Sequence, residues 1–154
     1  MDMLKEAETL RNVPLFAKLD PSKLKLLAFT SQSLTFESGE ILFREGDAAD
    51  AAYVILAGEI EIVGENERGS VVYGTLGPNA LVGELAVFTN STRTATLRAK
   101  GRLQVLRIAD EKFIKLVTEN PEVTIEVLRQ LSEKLARTHR QVEALQDELR
   151  RGGP

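Results

Sequence analysis

The sequence predicts a mainly β domain flanked by helices, an antiparallel sandwich or barrel with a short helical preface and a long helical tail. Three observations carry that prediction. Between Ser33 and Ala109 the chain falls into short runs rich in Val, Ile, Leu and Thr, namely "SLTF", "EILF", "AAYVILA", "EIEIV", "VVYGTL", "TATLRA" and "LQVLRI". Each has strand length, and "EIEIV" alternates as a half-buried strand should. Glycine-bearing breakers, "ESGE", "EGD", "AGE", "GENERGS", "LGPN" and "AKGR", separate the runs, the spacing of many-stranded antiparallel folds. Outside this zone the apolar residues take a helical period.

The elements follow in order. Residues 2–30 read as helical: "LKEAETLRNVPLF" is broken at Pro14, and "LDPSKLKLLAFT" restarts with Asp20 as N-cap and Pro21 at the first helical position. After the strand zone, "ADEKFIKLVTEN" has Asp110 as its expected cap. Asn120 and Pro121 then open a second helix expected to reach about Arg151, where "GGP" stops it. Along that helix Leu128, Leu131, Leu135, Thr138, Val142, Leu145 and Leu149 are spaced alternately by three and four. This is a heptad seam with Thr138 as its polar member, so a coiled-coil homodimer is expected. The competing reading is an amphipathic helix folded back on its own domain.

Composition narrows the function. The 154 residues carry a formal charge of −3 and are 43% hydrophobic, enough for a real core and no basis for a general polyanion surface. There is no cysteine, hence no disulfide, thiolate nucleophile or cysteine-held cluster. The longest apolar runs are too short for a bilayer, and the start "MDMLKEAETL" lacks the order of a signal peptide. A cytoplasmic chain with no membrane partner is expected.

The chemistry concentrates in "VGELAVFTNSTRTAT", Val82 to Thr96. A cyclic phosphodiester with a ribose needs a guanidinium, whose planar fork fits phosphate oxygens, and inward backbone amides. It also needs a carboxylate to accept from the sugar hydroxyl. Gly83 would permit close backbone approach, Glu84 would accept, Leu85 and Ala86 would offer amides, Arg93 the charge and Thr94 one more donor. Against this stands a plain surface ion pair, worth about 0–1 kcal/mol.

The arrangement "GELA", a polar link, then "RTA" resembles the phosphate-binding cassette of the cyclic-nucleotide-binding domain family. Val82, Gly83, Glu84, Leu85, Ala86, Arg93, Thr94 and Ala95 fill that pattern without a gap. "NVPLFAKLDPSKLKLLA" is similar to the family's helical entry and "FESGEILFREGDAADAAYVILAGEIEI" to its first strands, so the likeness runs from about Asn12 to Leu149. It implies an eight-stranded β-roll (a jelly-roll-like double-stranded β-helix), with the nucleotide inside and the C-terminal helix as its cap. Residues 1–119 would form the nucleotide-binding unit and 120–154 the capping and dimerisation helix.

The resemblance also implies roles. Glu84 would take the ribose hydroxyl, Arg93 and Thr94 the phosphate, and Gly83, Leu85 and Ala86 the backbone cradle. Tyr73 on a preceding strand would lie toward the base or pack in the core, and Thr138 and Val142 on the long helix would lie toward the base. Where the catabolite-activator branch reads adenine with hydroxyl residues of this helix, the sequence departs with Val142 and Glu143. The sequence departs from the family at Asn79, where many members have glycine; Asn tolerates left-handed backbone, so the turn is expected to persist. Catabolite-activator-like members continue into a helix-turn-helix, whereas this sequence ends at "RRGGP", so no direct DNA binding is expected.

The function expected is a sensor that binds a cyclic nucleotide, cAMP or cGMP with cAMP favoured, without a further cofactor, and relays binding through the long helix. Its rival is a lapsed domain kept for coiled-coil dimerisation or docking. An enzyme is not expected: the single histidine, His139, lies outside the strand zone and cannot build a cupin-like metal site, and no nucleophile–base pair is visible.

Overall fold

The computed structural model describes residues 3–152; Met1, Asp2, Gly153 and Pro154, which include most of the expected "GGP" stop, lie outside the described residues. The chain opens with α1 (Met3–Asn12), a 3₁₀ turn at Pro14–Phe16 and α2 (Pro21–Thr30). Pro14 ends the first helix because it cannot donate an amide to a continuing α-helical ladder. Pro21 starts α2 as expected, but the Asp20 side chain makes no cap; its backbone carbonyl accepts from Lys23 and Leu24 instead.

Six strands follow: β1 (Gln32–Phe36), β2 (Ile41–Phe43), β3 (Ala51–Asn66), β4 (Gly69–Leu76), β5 (Leu81–Val82) and β6 (Thr96–Ala109). A five-residue helix, α3 (Glu84–Phe88), lies between the last two. All pairings are antiparallel, in the order β1-β6-β3-β4, with β2 joined to β6 and β5 to β3. This overturns the eight-stranded roll. The fold is a mixed α/β arrangement of six strands with flanking helices, its sheet is not closed into a barrel, and helical residues outnumber those in strands.

Glycine is the reason for the miscount. "AAYVILA" and "EIEIV" are two halves of β3, and "TATLRA" and "LQVLRI" two halves of β6. Gly58 adopts φ 90°, and a methyl group there would lie 2.3 Å from the Arg102 carbonyl oxygen. It therefore bends β3 against its neighbour without ending it, and the β3–β6 register shifts on either side of Ala57.

The first half of β3 is buried on both faces from Ala51 to Leu56. Ala52, Val54 and Leu56 join Leu106, Ile108, Leu10, Phe16 and Phe113 in a core between sheet and helices. Ala51, Tyr53 and Ile55 join Leu97, Leu103 and Val105 in a second core on the other face. Each fully buried Leu, Ile, Val or Phe contributes roughly 1.5–3 kcal/mol of hydrophobic stabilisation, so the two cores lock the strand at which the site is assembled.

The chain ends in α4 (Asp110–Glu119) and the 31-residue α5 (Pro121–Arg151). Asp110 is one position inside α4, whose N-cap is Ala109, because the Asp110 amide is taken by the Asp50 carbonyl. Asn120 joins the two helices and is 6% exposed. Its Nδ2 donates to the Leu116 carbonyl at 2.7 Å, its Oδ1 accepts from Lys23 Nζ at 2.5 Å, and Thr124 Oγ1 donates to Val117 O at 2.5 Å. Along α5, Leu128, Leu135, Leu145 and Leu149 of the heptad row are exposed. Among the described residues no helix is long and apolar enough to cross a membrane.

Candidate functional site

Gly83 ends β5 and begins α3 with φ 75°. A side chain there would be strained and obstructed, since a methyl group would lie 2.6 Å from Arg93 Nη1 and 3.1 Å from the Phe43 ring. The glycine thus lets Glu84 and Arg93, nine residues apart in sequence, share one cleft. Upstream, Asn79 takes φ 73°, and its amide donates to the Ile55 carbonyl at 2.9 Å. The turn keeps its left-handed residue without glycine.

The Arg93 backbone is fastened to the loop ahead of β3: its amide donates to Asp47 O at 2.8 Å and its carbonyl accepts from Gly46 N at 2.9 Å. The side chain runs inward and the residue is 2% exposed. Nη1 donates to Gly83 O at 2.6 Å and Nη2 to Ala51 O at 2.5 Å, while Asp50 Oδ1 lies 3.8 Å from Nη2. The Phe43 ring covers the guanidinium with its centroid 4.0 Å from Cζ. Nε is buried and has no hydrogen-bond partner. Burial lowers the Arg93 pKa, opposed by the charges of Tyr53, Asp50, Asp47 and Glu84. A guanidinium nonetheless keeps its proton, so a positive charge with an unused donor is held beneath the cleft.

Glu84 has its pKa raised by burial, opposed by its own backbone amide hydrogen bond and by the charges of Lys134 and Arg93. Both cations act on it through space; among the described residues no carboxylate oxygen of Glu84 lies within ion-pair distance of either.

Val82, Gly83, Glu84, Leu85, Ala86, Arg93, Thr94 and Ala95 all line one cleft of about 350 Å³, a volume in the range of small-molecule sites. Phe43, Ile62, Leu76, Leu81 and Leu97 supply its apolar wall. Lys134 enters from α5 and also lines an adjoining cavity of about 260 Å³, together with Glu84, Leu85, Phe88, Leu131 and Arg137. The arrangement suits a small ligand with one anionic group, a hydroxyl and a flat apolar part.

Three expected residues are elsewhere. Tyr73 is 68% exposed and lies over Gly64, outside the cleft. Thr138 is exposed and donates to Lys134 O at 3.0 Å, and Val142 is exposed a turn further on. His139 pairs with Glu143 at 3.1 Å on the surface of α5. Lys134, Phe43 and Ala51 were not anticipated from the sequence. Lys134 adjoins the heptad position Leu135, and its place beside the seam was the one available signal. Among the described residues no group of acids, histidines or cysteines is placed to hold a metal ion.

A sheet-lined cleft with one buried guanidinium and one carboxylate defines a small-ligand binding domain. Its sequence matches the family described as the cyclic nucleotide-binding domain over residues 33–120, and the chain belongs to that family. It is 31% identical over 119 residues to the lysophospholipase nte1 of Neurospora crassa, covering 77% of this chain and 8% of that protein. It is 31% identical over 109 residues to the cAMP-dependent protein kinase regulatory subunit of Blastocladiella emersonii, covering 70% and 27%. The chain thus spans only a small part of these curated relatives. The solved structure of a cyclic nucleotide-binding-like protein from Brucella abortus superposes with a TM-score of 0.66 at 35% identity, covering 75% of this chain and 98% of that one. The chain matches non-catalytic regulatory and sensor domains of this family.

Proposed function

We propose that the chain is a cyclic-nucleotide sensor domain. The observation that carries the reading is the convergence of Glu84, Arg93 and Thr94 on one cleft beside a left-handed Gly83. Arg93 faces the phosphate with its positive charge, and Thr94 adds a hydroxyl. Glu84 accepts from the ribose 2′-hydroxyl. The backbone at Gly83, Leu85 and Ala86 completes the cradle, with Val82 and Ala95 at its apolar margins.

The nucleotide is cAMP in preference to cGMP. The likeness to a cAMP-dependent kinase regulatory subunit supports this choice. Lys134 supports the relay, since one side chain of α5 borders both the cleft and the cavity beneath the helix. Residues 1–119 form the binding unit, and 120–154 the helix that reports it and pairs with a second copy. We place this sensor in the cytoplasm, on its acidic, cysteine-free composition.

Thermal melting and calorimetric titration test the reading. A ligand at one hundred times its Kd stabilises by about 2.7 kcal/mol, so saturating cAMP should raise Tm by several degrees and cGMP by less. No heat and no shift with either nucleotide at millimolar concentration would remove the proposal, and a larger shift with cGMP would reverse the base preference.

A further inference from the structure

We infer that Phe43 is a positioning residue for the anion subsite, fixing the plane of the Arg93 guanidinium; the inference rests on the nucleotide reading of the cleft. Phe43 ends β2, opposite Leu97 on β6, far in sequence from the segment that carries Glu84 and Arg93. Its ring centroid lies 4.0 Å from Arg93 Cζ and 6.0 Å from the Tyr53 ring, tilted by 41°, and the side chain lines the cleft. It also crowds Gly83, where a methyl group would approach the ring to 3.1 Å.

Two hydrogen bonds, to Gly83 O and Ala51 O, hold the terminal nitrogens of Arg93. They act along the edge of the guanidinium and leave it free to tip about the line joining them. A ring against one face stops that motion and keeps water off that side. Such a contact gains most when the cation is desolvated, and Arg93 is 2% exposed. Phe43 thus aims the charge into the cleft and keeps it from swinging toward the exposed Asp50 carboxylate, 3.8 Å from Nη2.

Two measurements on the intact chain test this. In the nucleotide-free protein, the Arg93 Nε proton, assigned by its loss in Arg93→Lys, should show a ring-current shift that disappears in Phe43→Leu and persists in Phe43→Tyr. In titrations with cAMP, Phe43→Leu should bind about two- to thirty-fold more weakly. Phe43→Tyr should stay within about twofold of the parent, and Phe43→Leu should cause no further loss in an Arg93→Ala background at millimolar cAMP. Phe43→Met serves if the leucine variant melts below the assay temperature. An unmoved Nε proton in Phe43→Leu overturns the inference, as does an equal loss of affinity with and without Arg93. Should the parent bind neither cAMP nor cGMP, it is the nucleotide reading that fails, and the proton shift alone then decides the stacking.

Discussion

Arg93 does structural work as well as presenting a charge. Its guanidinium closes the space between Gly83 O and Ala51 O, so truncation removes a donor from the buried Ala51 carbonyl and from the part-buried Gly83 carbonyl. Arg93→Ala should therefore weaken cAMP roughly ten- to a hundredfold, the equivalent of about 1.5–3 kcal/mol for a charge-assisted contact, and should also lower Tm. Calorimetry and a melting curve on the same variant separate the two effects. Glu84 has the opposite character. Its carboxyl is raised by burial, so the folded state holds the proton more tightly than the unfolded one, and the associated stability is full below the ordinary carboxylate range and lost as pH rises through the raised pKa. At neutral pH Glu84→Gln should melt a few degrees higher than the parent, with the gain shrinking toward acid pH, while binding cAMP more weakly. Melting curves across the acidic-to-neutral range read this directly, and a Tm difference that does not change with pH would contradict the assignment. A residue that weakens the free fold for the sake of its ligand is a familiar compromise at binding sites.

Among the elements, helix boundaries are set by local chemistry and are legible in sequence, whereas strand extents are set by pairing and are not. Pro14, Pro21 and Asn120 mark true helix boundaries because a missing amide or a capping position acts within one turn. Gly58 and Gly101 look like breakers in sequence yet lie inside strands. Nothing within five residues of Gly58 shows that Arg102 will close over it, because that contact comes from β6. Gly58→Ala should accordingly cost more than about 2 kcal/mol in urea unfolding, through both its left-handed backbone and the clash with Arg102 O. The residues from Val82 to Ala95 that line the cleft are near neighbours in sequence, so a local pattern is enough to group them. Phe43 and Lys134 reach the cleft, and Ala51 O reaches Arg93, only through topology; apart from the heptad spacing next to Lys134, no local pattern announces them. On the long helix the residue that lines the cleft is Lys134, one turn before Thr138.

Taken together, the helices and sheet leave the outer half of the long helix exposed. Leu135, Leu145 and Leu149 are 71%, 59% and 76% exposed, and their heptad spacing fits pairing with a second copy. The proposed homodimer should appear as twice the chain mass in light scattering at micromolar concentration, and Leu135→Asp with Leu145→Asp should return it to monomer with the cleft intact. A parent that stays at single-chain mass at the highest soluble concentration would leave the seam without its partner. The junction at Asn120 sets how such a helix behaves. With Lys23 and Leu116 gripping one residue and Thr124 tied to Val117, the base of the helix is clamped, while Leu145 and Leu149 toward its far end are exposed. Thirty-one residues at about 1.5 Å each make an arm of roughly 46 Å. A tilt of about 10° at that fulcrum would sweep the tip through roughly 8 Å.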